Sequence, residues 1–220
     1  MTAARSFAEL PHPMQLALQL GWESVVAGSL GIGAVVVNGS GDVVATGRNR
    51  LHETDPGDDL IAGSSLAHAE INALAKLGYW QHEADELELF TTLQPCLQCL
   101  GAIRLSPVRR VHILAADPLW RGLEALRDIV PFVTHRWPDV HTMANSPWAV
   151  WSLLTPTAHI LDRSKLRLIW EAELPAVVTL VERMRAADVF ARWVAERPTL
   201  VEAADEWWPD LQFASRPESK

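Results

Sequence analysis

The chain has 220 residues, 49% hydrophobic and 21% charged, enough apolar material to bury a full core but long for one average domain. The formal net charge is -8, with 7 basic and 13 acidic residues up to position 118 and 12 and 14 beyond it. Neither part has the basic surplus of a protein that neutralises many phosphates, so nucleic acid is disfavoured as a partner. No apolar run approaches the ~18 residues of a membrane span. Met1–Glu9 lacks the apolar core of a secretory signal, and a cytoplasmic protein is expected.

In chain order, Met14 to Leu20 and the residues after it predict a helix following Pro11 and Pro13, ended by Gly28 and Gly31. Gly33–Asn38 and Val43–Gly47 are β-rich runs around the turn Gly39-Ser40-Gly41-Asp42, a hairpin. The polar, acidic stretch from Leu51 to Ser65 is a loop or insertion. Leu66–Leu77 predicts a helix with Ser64 or Ser65 as cap and Gly78 as its stop. Leu87–Thr92 is a third strand. A helix opens around Pro95 and runs to about Leu105, and Val108–Ala116 is a fourth strand.

This order predicts a three-layer α/β fold over residues 1–118, with helices covering a mixed sheet. From Leu119 strand-like runs become scarce. Val177, Leu180, Val181 and Met184 share one helical face, and Leu166, Ile169 and Trp170 begin another. Residues 119–213, rich in tryptophan, are therefore expected to form a helical extension packed on that domain. Residues 214–220 look like a loose tail.

The chemistry concentrates in two stretches, His68-Ala69-Glu70 and Pro95-Cys96-Leu97-Gln98-Cys99. Two cysteines in the whole chain, three positions apart, form no disulfide framework and point to metal or redox chemistry. Catalytic zinc takes about three protein ligands and keeps one position open, and His68, Cys96 and Cys99 are donors of the right type. Cysteines at i and i+3 share a helix face. A helix N-terminus also favours the thiolate that binds metal.

His68 and Glu70 diverge by roughly 200° if both are helical. They share a site only if the helix aims its N-terminal end into the pocket. Glu70 then sits beside the metal as a general acid and base. The bland readings stay open at this level. An H-x-E arises easily by chance among eight histidines. A C-x-x-C serves redox pairs too, a structural zinc would take a fourth ligand from elsewhere, and free cysteines also pack as small hydrophobes.

H-x-E followed by P-C-x-x-C is the signature of zinc-dependent nucleobase deaminases. Residues from about Met14 to Asp117 resemble the cytidine and deoxycytidylate deaminase superfamily, most closely the branch of tRNA adenosine deaminases and bacterial guanine deaminases. The matching stretches are Gly33–Val37, Gly47-Arg48-Asn49-Arg50, Ala67–Leu74 and Thr92–Ile103. The resemblance implies a five-stranded α/β/α fold, Zn2+ on His68, Cys96 and Cys99, catalysis by Glu70, and a homodimer or higher oligomer. It also implies that Asn49 hydrogen-bonds the base or its sugar and that the Ala69 backbone amide faces the substrate ring. On its own residues Asn49 reads equally well as a turn cap.

Three features depart from that branch: Gln94 replaces the usual Glu before Pro-Cys, the segment between Arg50 and His68 is long and acidic, and the tail is the Trp-rich extension. Trp120 is a stacking candidate or, more simply, a core tryptophan. Three functions follow as expectations. The first is zinc-dependent deamination of a free nucleobase, nucleoside or similar small aminated heterocycle, purines slightly favoured. The second is adenosine deamination in tRNA, and the third is an idle deaminase fold kept as a binding scaffold.

Overall fold

The computed structural model describes residues 2–78, 86–129, 131–143 and 145–216. α1 (Ala3–Ala8) is a short helix that the sequence does not announce, because Ala3 is its one buried side chain. α2 (His12–Val26) places Pro13 in the first turn, where a missing N–H costs nothing, and Gly28 follows its end at φ 81°. The hairpin β1 (Gly33–Val37) and β2 (Val43–Arg48) comes next, then α3 (Ala69–Leu74), β3 (Leu87–Leu93), α4 (Leu97–Leu105) and β4 (Val108–Ala115). All four strands lie within a residue or two of expectation.

The stretch after Leu119 differs from its helical reading. Two 3₁₀ turns (Pro118–Trp120 and Leu123–Ala125), α5 (Leu126–Ile129) and α6 (Pro131–Thr134) lead into a fifth strand, β5 (Asp139–Thr142). All four residues of β5 are exposed, so no alternation marks them, and parallel pairing with β4 makes them a strand. The sheet order is β2-β1-β3-β4-β5, antiparallel at β1/β2 and β1/β3 and parallel at β3/β4 and β4/β5. A boundary after residue 118 would therefore separate two paired strands. The remaining chain is helical: α7 (Pro147–Ile160), α8 (Ser164–Glu173), α9 (Pro175–Ala186), α10 (Val189–Glu196) and α11 (Leu200–Ala214). Of the expected tail, Ala214 closes α11, and 217–220 lie outside the described residues.

Close backbone approach fixes the layers. A Cβ on Gly33 would stand 2.0 Å from the Ala17 carbonyl oxygen of α2, and one on Gly47 would stand 2.3 Å from the Ala69 carbonyl oxygen of α3. Gly33 pairs with Arg48 and Ala34 with Gly47, so the two glycines face opposite sides of the sheet. α3 and α4 form one layer. α2 and α7 form the other, with α7 resting on β3, β4 and α2. The first long helix of the expected extension is thus a layer of the sandwich.

The tryptophans join that layer to the helices outside it. Trp148 (0% exposed) meets Trp208 at 5.4 Å, and Trp22 of α2 meets Trp151 at 5.5 Å and Trp193 at 5.2 Å between ring centroids. Trp148, Trp151 and Trp208 are buried, and Trp207 is half-buried, so these rings belong mainly to the core. Trp148→Ala should lower unfolding stability by about 3–5 kcal/mol, read as a lower denaturation midpoint. Among the described residues no helix is long and apolar enough to cross a membrane.

The long acidic segment before His68 is pinned by charge. Arg50 donates to Asp59 (2.7 Å) and Glu53 (2.8 Å), Lys76 reaches Asp59 (2.7 Å), and Arg48 pairs with Glu53. Asn72, fully buried on α3, accepts from the Ile61 N–H (3.0 Å) and donates to the carbonyls of Ile61 (3.0 Å) and Arg48 (3.1 Å). Asn72→Ala strands those backbone groups. It should cost about 1–3 kcal/mol for each one water cannot reach, with chemical denaturation as the check.

Candidate active site

Both motif stretches sit at helix starts, though not as helical residues throughout. His68 is the N-cap of α3 with extended backbone (φ -78°, ψ 152°), and Glu70 lies in the first turn. Because His68 has not yet entered the helix, the 200° divergence does not apply, and both side chains turn the same way. Cys96 likewise caps α4 (φ -70°, ψ 175°), with Cys99 in the first turn. The two α-helices pack side by side in one layer, so their N-terminal ends meet at the end of β3.

His68 Nδ1 lies 3.5 Å from Cys96 Sγ and 3.4 Å from Cys99 Sγ, and the two sulfurs are 3.6 Å apart. A regular tetrahedron with Zn–S near 2.3 Å and Zn–N near 2.05 Å has edges of about 3.6 Å between S and N and about 3.8 Å between sulfurs. The triangle therefore fits three corners of a zinc site. Among the described residues no fourth His, Cys, Asp or Glu joins this group, which leaves one corner open as catalytic zinc requires. Cys96 is drawn down to about 4, first by its hydrogen bond with Cys99 and then by His68. Cys99 is pushed far up by the same bond and by burial. His68 is raised by its bond to Cys96.

Glu70 is 3% exposed, and burial pushes its carboxyl above the ordinary range. Its Oε1 lies 2.9 Å from the Thr91 hydroxyl and its Oε2 lies 3.4 Å from Cys99 Sγ. His68, Glu70 and Cys96 line a cavity of about 120 Å³ with Leu30, Ile32 and Leu93 as apolar walls. Gln94, Asp117, Trp120 and three residues of α7 complete it. A larger groove of about 690 Å³ beside α3 and α4 holds none of His68, Glu70 and Cys96.

Gln94, the departure before Pro-Cys, has a specific task. Its Nε2 donates to the Trp120 carbonyl (3.1 Å) and its Oε1 accepts from the Asp117 N–H (3.1 Å). The amide thus pins the 117–120 wall to the end of β3, and a glutamate could make only the second bond. Gln94→Glu should loosen that wall and raise KM about fivefold with a smaller change in kcat, the worth of roughly 1 kcal/mol.

Asn49 is 1% exposed, and its Oδ1 accepts from Ser29 Oγ (2.8 Å) and the Leu51 N–H (3.1 Å). Its oxygen thus makes local hydrogen bonds, and the residue lies outside the cavity lining. Ala69 is buried at the first helical position, between the two site residues of α3. Trp120 does line the cavity and is half-buried. Sequence reasoning missed Thr91, Asp117 (lifted by burial to about 6), Pro156, His159 and Ile160. The hydroxyl facing inward from a strand gave a faint signal for Thr91. Nothing local marks the α7 residues, which reach the site only through tertiary packing.

A mixed five-stranded sheet between two helical layers, with a His-Cys-Cys donor set and a buried glutamate at two helix starts, defines a zinc-type deaminase fold. Residues 9–115 match the cytidine and deoxycytidylate deaminase zinc-binding region. The chain is 32% identical over 136 residues to the tRNA-specific adenosine deaminase of Agrobacterium fabrum, covering 61% of this chain and 85% of that protein. It is 39% identical over 95 residues to the Bacillus subtilis tRNA-specific adenosine deaminase, 41% of this chain and 52% of that one. The chain belongs to the cytidine and deoxycytidylate deaminase family.

Among solved structures it is similar to one from work on A-to-I editing by tRNA:A34 deaminases, 30% identical with a TM-score of 0.49, over 60% of this chain and 97% of that one. It is also similar to guanine deaminase from Nitrosomonas europaea, 25% identical with a TM-score of 0.45, over 70% and 83%.

Proposed function

We propose that this chain hydrolytically deaminates a free nucleobase, nucleoside or similar small aminated heterocycle, purines slightly favoured, releasing ammonia. The observation that carries this reading is the buried Glu70 carboxyl in one small cavity with His68 and Cys96, anchored by Thr91. His68, Cys96 and Cys99 would hold the zinc. When bound there, zinc supplies the Lewis acidity that lets water lose a proton near neutral pH.

Glu70 accepts that proton as the water oxygen bonds to the amine-bearing ring carbon. It passes the proton to the adjacent ring nitrogen, then takes the proton of the newly attached hydroxyl and delivers it to the amine, so that the C–N bond breaks as the carbonyl forms. Water is consumed, ammonia leaves, and the ring keeps a carbonyl. The apolar walls exclude competing water and flank a flat ring, and Trp120 offers it an aromatic face. The test is ammonia release from a panel of purines, pyrimidines and pterins, as bases and as nucleosides, with zinc content measured on the same protein. No release across the panel from zinc-loaded protein overturns the reading.

A second reading, adenosine deamination in tRNA, is favoured by the relatives named tRNA-specific adenosine deaminase. The net charge of -8 and the cover that α7 places over the cavity weigh against it. It requires tRNA binding that weakens steeply with salt. Absence of binding at low salt removes it.

A further inference from the structure

The cavity that holds Glu70 is walled on one side by α7, through Pro156, His159 and Ile160, whereas Glu70, His68 and Cys96 come from the opposite helical layer. At about 120 Å³ it falls well below the ~300–1,000 Å³ of pockets for drug-sized ligands. Pro156 and Ile160 are buried and apolar. The wall is also tied down from behind, because Thr155 Oγ1 accepts from the Gly31 N–H at 2.6 Å. His159 is half-buried, and among the described residues neither ring nitrogen has a hydrogen-bond partner in the protein. Its ring packs against that of His52 at 5.4 Å, and His52 is itself placed by Nδ1 facing the Gly28 carbonyl at 3.3 Å.

We propose that α7 is the specificity element of the site: Pro156 and Ile160 leave room for a base and none for an attached sugar, and His159 supplies the polar contact to the ring. This deepens the small-heterocycle reading and rests on it. It selects the free base over the nucleoside. Burial and the nearby Arg163 and His52 favour the neutral imidazole, which has one nitrogen to donate and one to accept, as a heterocycle edge demands. The wall's stiffness matters as much as its shape. Thr155 anchors one side of the turn that carries Pro156, and the Trp148–Trp151 region of the same helix is locked in the core.

The test measures binding and turnover separately on the zinc-loaded chain, for adenine, guanine and cytosine beside their nucleosides. Wild-type protein is expected to prefer the matched base by about 100-fold or more in both Kd and kcat/KM. Ile160→Ala should narrow that preference about tenfold by admitting the nucleoside. His159→Asn should keep more base affinity than His159→Ala, since an amide also donates and accepts, a rescue that a purely structural role would not give. If Ile160→Ala loses its fold by circular dichroism, the wild-type ratio and the His159 pair still decide.

A nucleoside bound or turned over within about tenfold of its base overturns the inference and leaves the deaminase reading standing. An Ile160→Ala preference equal to wild type overturns the assignment to α7. Bases bound selectively without ammonia release leave the inference standing and overturn the deaminase reading. No binding of any member overturns both.

Discussion

Replacing Glu70 with glutamine is expected to lower kcat by roughly 10²–10⁴-fold while zinc content stays at the wild-type level. Glutamine matches the shape of the carboxyl and keeps an oxygen for the Thr91 hydroxyl at 2.9 Å, so the wall of the site is preserved. It cannot carry the proton between water, ring nitrogen and leaving amine. Burial already raises the Glu70 carboxyl above the ordinary range, so the neutral side chain should not destabilise the fold. Ammonia release and zinc content on the same preparation decide the matter. A glutamine variant with wild-type turnover would mean that Glu70 is not the proton carrier.

Cys99→Ala is expected to lose the metal itself. Cys99 is fully buried, supplies one of three donors, and has no neighbour among the described residues to replace it. Zinc per chain should fall far below that of wild type, and activity should fall with it. The thermal readout is independent of substrate. Zinc in about 1,000-fold excess over its Kd adds roughly 4 kcal/mol to the wild-type protein. The melting temperature of wild type should rise accordingly, and that of Cys99→Ala should not. Adding a chelator to wild type should reproduce the variant.

Much of the fold was legible because its signals are local. The glycine and proline stops around α2, the hairpin turn at Gly39–Asp42 and the β-rich runs of β1 to β4 each carry their own pattern. The candidate metal ligands were legible for a related reason, since their donor types and spacing fall within a few residues of a helix start. What escaped depends on contacts distant in sequence. β5 is four exposed residues that become a strand only against β4, so 119–213 looked helical throughout.

His159 and Ile160 are more than fifty residues beyond Cys99 and reach the cavity only because the tryptophan core holds α7 in the second layer. Gln94 is a middle case. Its departure from the branch was visible, but its purpose was not, because both of its partners lie on the loop beyond β4.

The central claim is that one zinc on His68, Cys96 and Cys99, worked by Glu70, removes an amine from a small heterocycle. The most direct measurement titrates zinc into metal-free wild-type chain and follows ammonia release from the free bases. Release should rise in proportion to bound zinc and stop rising at one zinc per chain. A chain carrying its full zinc that releases no ammonia from any base or nucleoside, or a metal-free chain as active as the loaded one, would contradict the account.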